Sequence, residues 1–407
     1  MKQYIYSIIL LIVSVLSIHA QTQKLTMKQC VDLALQNNPQ LQAANKQVER
    51  VKTLQGTAWD VDKTQLSLSQ DPTSGGSPDN SLALSQSIDF PTLYVARHKQ
   101  LKAETQAEQN RANIVRRDIS VKVQSVYCQL VYENQRLLIL AAQDSILQHY
   151  CRLATQRYHA GEVRKLEVLT AERLQKENLM ELTTARAEAE GVRLQMAQLT
   201  GVPTVDAAES KLVPLPLVQT AYNYQQSANG LYASSRLNAA SRAVSVARNG
   251  YAPSLSLSLR HQLVITGWDP YHVNRSKFDG GNFMGFEVGV GVPLFFGATK
   301  AKVKAAKKSR DVAELEMQSE QQQMEKDYMS ALCKCNAAQQ RMEYYLEEGN
   351  DKAGELMRLG TLEYENGEIS YIEYVNALQE SMDIRMKSAQ AVNDFNQSVV
   401  ALKTFTE

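Results

Sequence analysis

The chain has 407 residues, with 44 Lys and Arg against 43 Asp and Glu, a formal net charge of +1. Lys2 is the only charge in the first 20 residues, so removing them takes +1 to 0, and nothing in that balance points to nucleic acid. With 10 Pro and only 7% aromatics, and with Ala, Gln, Glu, Leu and Lys abundant, the composition is that of long helices rather than of two or three globular domains.

Residues 1–20 read as a signal peptide, with Lys2 as the positive n-region, Ile8 to Leu16 as the apolar core and Ile18-His19-Ala20 as the cleavage site before Gln21. The apolar run is shorter than the roughly 20 residues needed to span a bilayer. No Cys follows it, so no lipoprotein signal is expected. Thr26 is placed to N-cap a helix that is interrupted at Asn38-Pro39 and resumes through about residue 58.

Over residues 64–90 the period changes from helical to alternating. Leu66 and Leu68, then Leu82, Leu84 and Ile88, alternate with serines, and the turn-rich Asp71 to Asn80 lies between them. This predicts a β-hairpin with one apolar face. From 92 to 159 there is neither Pro nor Gly. Ile119, Val123, Val126, Leu130 and Leu137, then Leu182, Ala185, Ala189, Val192, Met196 and Leu199, step mostly by three, four or seven, as in coiled-coil seams. The two helices part near Tyr158-His159-Ala160-Gly161-Glu162, and Gly201-Val202-Pro203 stops the second. Residues 202–220, with Pro203, Pro214 and Pro216, read as an extended linker.

The pattern then repeats. Leu41-Gln42-Ala43-Ala44 recurs as Leu237-Asn238-Ala239-Ala240. A second hairpin, about 254–294, alternates Leu255, Leu257, Leu259, Leu263 and Ile265 with Ser254, Ser256, Ser258, Arg260 and Gln262, and Phe286, Val288, Val290 and Val292 with Gly285, Glu287, Gly289 and Gly291. The loop Gly267 to Phe283 divides its strands. An uninterrupted helix is expected from about 298 to 363, after which Tyr364-Glu365-Asn366-Gly367-Glu368-Ile369 echoes Tyr158 to Val163. Ile372-Glu373-Tyr374-Val375-Asn376-Ala377 likewise echoes Leu166 to Ala171. The chain is therefore read as a duplication, 21–201 and 221–407 joined by 202–220.

Length constrains what this duplication builds. A helix over 93–159 is about 100 Å long at 1.5 Å per residue. Its return helix, 163–201, and the first helix, 26–58, nearly match it when stacked end to end, and the second repeat allows the same stacking. A tall hollow helical cylinder needs that arrangement; a single globular core does not. The strands bracket the roughly 9–11 residues of a tilted membrane strand and alternate apolar with small polar residues. Four strands cannot close a barrel, and lipid does not tolerate an open edge, so several copies must contribute.

Catalytic, cofactor and metal sites are not expected. The histidines (His19, His98, His149, His159, His261, His272) lack metal-ligand spacing, and Gly289-x-Gly291 lacks a phosphate-loop context. The five Cys are an odd set for a disulfide framework. Cys128 and Cys151 lie roughly 35 Å apart on one helix, and Cys333-x-Cys335 diverges on another, which favours structural roles.

Together these features resemble the TolC-type outer membrane efflux proteins over essentially the whole chain after residue 20. The carriers are Thr26 to Leu35 with Asn37-Asn38-Pro39, the strand exit Val292-Pro293-Leu294-Phe295-Phe296-Gly297, and the two Tyr-x-x-Gly-Glu motifs. At Phe90-Pro91-Thr92-Leu93 the first hairpin departs from that exit, and many relatives are lipidated on an N-terminal Cys where this chain is not expected to be. The resemblance implies a mainly α fold with a membrane β-barrel contribution: duplicated long coiled-coil hairpins and four transmembrane strands per protomer, as a trimeric 12-stranded duct. It implies an outer-membrane channel of a tripartite efflux or type I secretion system, with its helical part in the periplasm of a Gram-negative-type cell. The implied partners are two further copies of the chain, a periplasmic adaptor (membrane fusion) protein, an inner-membrane pump and outer membrane lipid. It places Gly161 and Gly367 at the tip turns, with Glu162, Lys165 and Glu167 in the first tip, and Glu368, Ser370, Tyr371 and Glu373 in the second, as gate and adaptor contacts. The alternative is a periplasmic adaptor or coiled-coil scaffold, which would share the helical hairpins but lack the duplicated lipid-type strand pairs.

Overall fold

The computed structural model describes residues 23–72, 78–217, 221–263 and 283–406. The expected signal segment, the middle of the loop 71–80, residues 218–220 of the linker, and Ile265 with most of the loop Gly267 to Phe283 lie outside the described residues.

β1 (Gln23–Leu25) leads into α1 (Met27–Asn37) and α2 (Pro39–Leu54), followed by a 3-10 turn, Gln55–Trp59. Thr26 caps α1 through a capping box: its hydroxyl accepts from the Gln29 amide (3.4 Å) while its own amide donates to Gln29 Oε1 (2.9 Å). Asn38-Pro39 restarts the helix at once, because Asn38 Oδ1 accepts the Gln40 amide (2.9 Å) and Pro39 occupies a first-turn position where no amide hydrogen is needed.

β2 (Gln65–Pro72) and β3 (Pro78–Asp89) precede α3 (Pro91–His159), which turns back as α4 (Lys165–Thr200). Gly201 ends α4 at φ +73°, and the Asn37 side chain donates through Nδ2 to the Thr200 carbonyl at 2.9 Å. The expected linker is extended but docked. Its β4 (Val205–Ala207) pairs in parallel with β1, the Leu212 amide donates to Gln135 Oε1 (3.0 Å), and the Leu215 amide donates to Asn396 Oδ1 (2.8 Å).

α5 (Ala228–Arg248), β5 (Ser254–Leu263), β6 (Phe283–Gly291) and α6 (Gly297–Tyr344) repeat the order. α6 does not run unbroken to 363 as expected: a π-turn, Tyr345–Gly349, leads into α7 (Asn350–Glu365), and α8 (Tyr371–Thr406) closes the chain. A Cβ at Gly349 would stand 2.9 Å from the Tyr345 ring, so the extra residue of the π-turn is accommodated where there is no side chain. No described helix is long and apolar enough to cross a membrane.

The chain forms two compact units, and each repeat contributes to both. The first unit comprises the segments up to Ala43, Asn113–Ser227 and Gln322–Glu407. Its core holds the predicted seams, with Val123, Leu130, Ala185, Ala189 and Met196 fully buried. Cys30, Cys128 and Cys335 are also buried there, and burial pushes the Cys30 and Cys128 thiols up to about 11, leaving them unreactive at neutral pH. The second unit, Ala44–Ala112 with Ala228–Gln321, contains the four-stranded sheet and the helix segments that adjoin it.

Candidate functional site

The sheet has strand order β2-β3-β5-β6, antiparallel throughout, with the two hairpins joined through β3 and β5. Its register sets Leu66, Leu84, Leu259 and Phe286 in one row across all four strands, and Ile88, Leu255 and Val290 in another. The interleaved rows are small or polar: Ser85-Ser258-Glu287 and Ser87-Ser256-Gly289. Gln86 interrupts the apolar side, and its amide is taken up by Asp62 O (2.7 Å) and Ser87 O (2.8 Å).

The apolar side has no cover among the described residues. Phe286 is 77% exposed, Leu68 73%, Leu66 69% and Val288 66%. In water a contiguous face of this kind is a liability, and with lipid against it that cost disappears. The polar side is tight. A Cβ at Gly289 would meet Ser256 Oγ at 2.4 Å and one at Gly291 would meet Ser254 Oγ at 2.5 Å, so a larger residue at either position requires the serine hydroxyl to turn aside, whereas Gly285 has open space. β2 and β6 each pair on one side only, leaving two rows of backbone donors and acceptors open. β3 runs to Asp89 despite the different exit, and Pro91 starts α3 directly.

In the first unit, the two predicted tips share one backbone solution. Gly161 (φ +78°) and Gly367 (φ +75°) are left-handed, as only glycine adopts at low cost. The Glu162 amide donates to Arg157 O (2.9 Å) and the Glu368 amide to Glu363 O (2.8 Å), the six-to-one bond that closes a helix end.

The side chains then diverge. Ser370 and Glu373 form a capping box at the start of α8, with the Ser370 amide donating to the Glu373 carboxylate (2.8 Å) and the Glu373 amide donating to Ser370 Oγ (3.4 Å). Hydrogen bonds from the Ser370 side chain and backbone hold the Glu373 carboxyl below the usual carboxylate range. The matching position in the first tip is Arg164, which makes no side-chain cap, so Glu167 is not engaged in the same way. Lys165 and Glu368 are exposed, and Glu162 lies 4.0 Å from Arg157.

Apart from Tyr371, the residues that join the hairpins at the tips were not among those that sequence reasoning singled out. Arg157 of α3 lies over the Tyr364 ring of α7 at 4.9 Å, and Tyr364 stacks on Tyr374 of α8 at 4.6 Å. Tyr150 of α3 stacks on Tyr371 at 5.3 Å, and the hydroxyls of both are buried without a hydrogen-bond partner among the described residues. Burial raises the Tyr364, Tyr371 and Tyr374 hydroxyl pKa values. The available signal was the Tyr158/Tyr364 echo, but the two differ in role: Tyr364 is buried, whereas Tyr158 is exposed. Among the described residues no group of His, Cys, Asp and Glu could hold a metal ion.

Residues 225–406 match the family model described as Outer membrane efflux protein. No curated protein matches the chain by sequence. By structure the chain is similar to CusC, described for transmembrane channel formation (TM-score 0.78, 16% identity, covering 94% of this chain and 92% of that one). It is also similar to the Campylobacter jejuni CmeC outer membrane channel (0.72, 18%, 93% and 85%) and the Neisseria gonorrhoeae MtrE outer membrane channel in its open state (0.68, 18%, 93% and 88%).

Proposed function

We propose that this chain, which carries an outer membrane efflux protein domain on the fold of outer-membrane channels, is one protomer of a trimeric export duct. The observation that carries the reading is the sheet. It is four strands wide, apolar and uncovered on one face, and open at both edges. Strand pairing between copies satisfies those edges, and three copies supply twelve strands, above the roughly 8 that the smallest membrane barrels use. The serine and glycine rows then line the lumen. The same face weighs against a periplasmic adaptor or scaffold, which would have no use for it.

In this reading the helices extend the duct into the periplasm, and the first 20 residues direct export to the outer membrane. Passage is passive, with energy supplied by an inner-membrane pump reached through a periplasmic adaptor. The tips at Gly161 and Gly367 control the pore, with Glu162, Lys165, Glu167, Glu368, Ser370, Tyr371 and Glu373 at the control point. The fold leaves the cargo open, because drugs, metal ions and secreted proteins would all traverse the same lumen.

The test combines cell fractionation, cross-linking and planar bilayers. Recovery in the outer membrane as a detergent-resistant trimer that conducts is expected. A soluble periplasmic monomer without conductance overturns the proposal.

A further inference from the structure

The charges of the second unit are unevenly placed. The helix segments adjoining the sheet, residues 91–103, 240–251 and 297–310, hold eleven Lys and Arg and not one Asp or Glu. Two of the segments are the N-termini of α3 and α6, where the helix dipole disfavours cations and where neither first turn carries an acid. Helix stability is therefore no reason for this charge.

Two cavities define the faces of the helical layer. One, of about 620 Å³, is lined by all four helices, with Arg50 from α2, Glu104 from α3, Arg236 from α5 and Lys308 from α6, so the layer curves around it. Its charges are mixed and include the Arg236–Glu316 pair at 2.9 Å. The other, a groove of about 410 Å³, is lined only from α3 and α5, by Pro91, Thr92, Val95, Ala96, Lys99, Arg242 and Ser245. On both helices the stripe lining the groove is turned roughly 120–140° from the stripe lining the first cavity, at about 100° per residue. The groove therefore lies on the outer, convex side. The same reckoning turns Lys300, Lys304 and Lys307 of α6 to that side.

Lys99, Arg242, Lys300, Lys304 and Lys307 are all exposed, and none has an ion pair among the described residues. Further along α6, Asp311 ends the run by pairing with Lys308 (3.2 Å) and Arg310 (2.7 Å). At the same end of these helices, next in the chain to the strands, lie the stacked pair Trp59–Tyr94, the pair Tyr251–Phe296 and the 92% exposed Phe295.

We propose that this outer face binds anionic phospholipid headgroups of the periplasmic leaflet, one lipid phosphate lying between Lys99 and Arg242 in the groove of α3 and α5. The inference rests on the reading of the sheet as membrane-spanning. Headgroups begin where the hydrocarbon band ends, a level that aromatic residues mark, and cations there attract anionic lipid. Pro91, Val95 and Ala96 offer an apolar wall to the adjoining acyl chain, while Thr92 and Ser245 offer hydroxyls.

Trp268→Phe leaves Trp59 as the only tryptophan, stacked on Tyr94 of α3 at 5.5 Å. The full chain is reconstituted in phosphatidylcholine vesicles, and quenching of Trp59 by brominated phosphatidylglycerol is compared with quenching by brominated phosphatidylcholine. A preference of about five- to thirtyfold for the anionic lipid is expected, the equivalent of one or two cations at about 1 kcal/mol each. The preference should fall toward one in the combined Lys99→Gln, Arg242→Gln, Lys300→Gln, Lys304→Gln variant. Insertion into pure phosphatidylcholine, expected to be unchanged, shows that the variant still folds. Equal quenching by the two lipids in an inserted channel overturns the inference and leaves the membrane reading standing. Failure of the Trp268→Phe channel to insert into either bilayer overturns the membrane reading, and the inference with it.

Discussion

Arg157→Met removes one guanidinium from the junction between the two helical tips while keeping a long apolar side chain. Arg157 lies 4.9 Å from the centre of the Tyr364 ring and 4.0 Å from Glu162. At a partly exposed site the ring contact contributes about 0.5–1 kcal/mol. The ion pair adds a few tenths of a kcal/mol at most, because the Glu162 side chain is 63% exposed and screened by water. Each protomer therefore loses about 1 kcal/mol of the contact that holds hairpin to hairpin. If three tips open together, the loss is about 3 kcal/mol, a shift in the closed-to-open ratio on the order of 100-fold; if they open singly, each shifts about fivefold. Single-channel conductance in planar bilayers and leak of a bulky antibiotic into cells read this shift directly. Arg157→Lys, which keeps the charge but loses the flat guanidinium, is expected to fall between wild type and Arg157→Met. An intact Arg157→Met trimer with wild-type conductance and leak would refute the reasoning, because closure would then lie outside the contact between the hairpins.

Gly161→Ala and Gly367→Ala should each cost about 1–2 kcal/mol, and Gly→Asn at the same positions less; the added Cβ meets nothing within 4 Å, so hydrogen exchange at the tips reads a purely conformational penalty. Val288→Arg, on the 66% exposed apolar face, should cost about 2–4 kcal/mol per protomer and abolish bilayer insertion, whereas Ser258→Arg on the opposite face should insert normally and lower conductance; equal insertion by both would remove the lipid assignment of the faces. The Glu373 pKa is lowered from the ordinary 4.5 by its hydrogen bonds to Ser370, so its contribution is present above that value and lost as pH falls through the lowered pKa. Amide exchange at the start of α8 should therefore quicken on acidification in wild type and much less in Ser370→Ala.

Where one face of an element is buried or wetted as a unit, side-chain periodicity alone located it. The seams Val123, Val126 and Leu130, and Ala185, Ala189 and Met196, were legible because a coiled helix must bury every third or fourth residue. The strands were legible because apolar and small polar residues alternate along them at period two, which sends them to opposite faces. Thr26, Gly161, Gly201 and Gly367 were readable as local backbone requirements that hold wherever the elements lie. The π-turn at Tyr345–Gly349 was not, since a single extra residue leaves no periodic trace and depends on the fit of Tyr345 and Ile384 around Gly349. Docking of 205–217 was also hidden, because it is made by backbone bonds to Gln135 and Asn396 far away in sequence.

The amino-acid sequence by itself determined the duplicated order of helices and strands, the lipid-type strand faces and the two glycine tips, because each is a local response to what surrounds a residue. Only the tertiary structure decided which residues meet across hairpins: that Tyr364 and not Tyr158 is buried, that Arg157 lies over it, and that Glu373 is spent on a cap while Glu167 is not. It also decided that Lys99 and Arg242 line one groove between α3 and α5. Equivalent positions in the two repeats have the same local code, and the pairing of one repeat against the other, which no period records, makes them different.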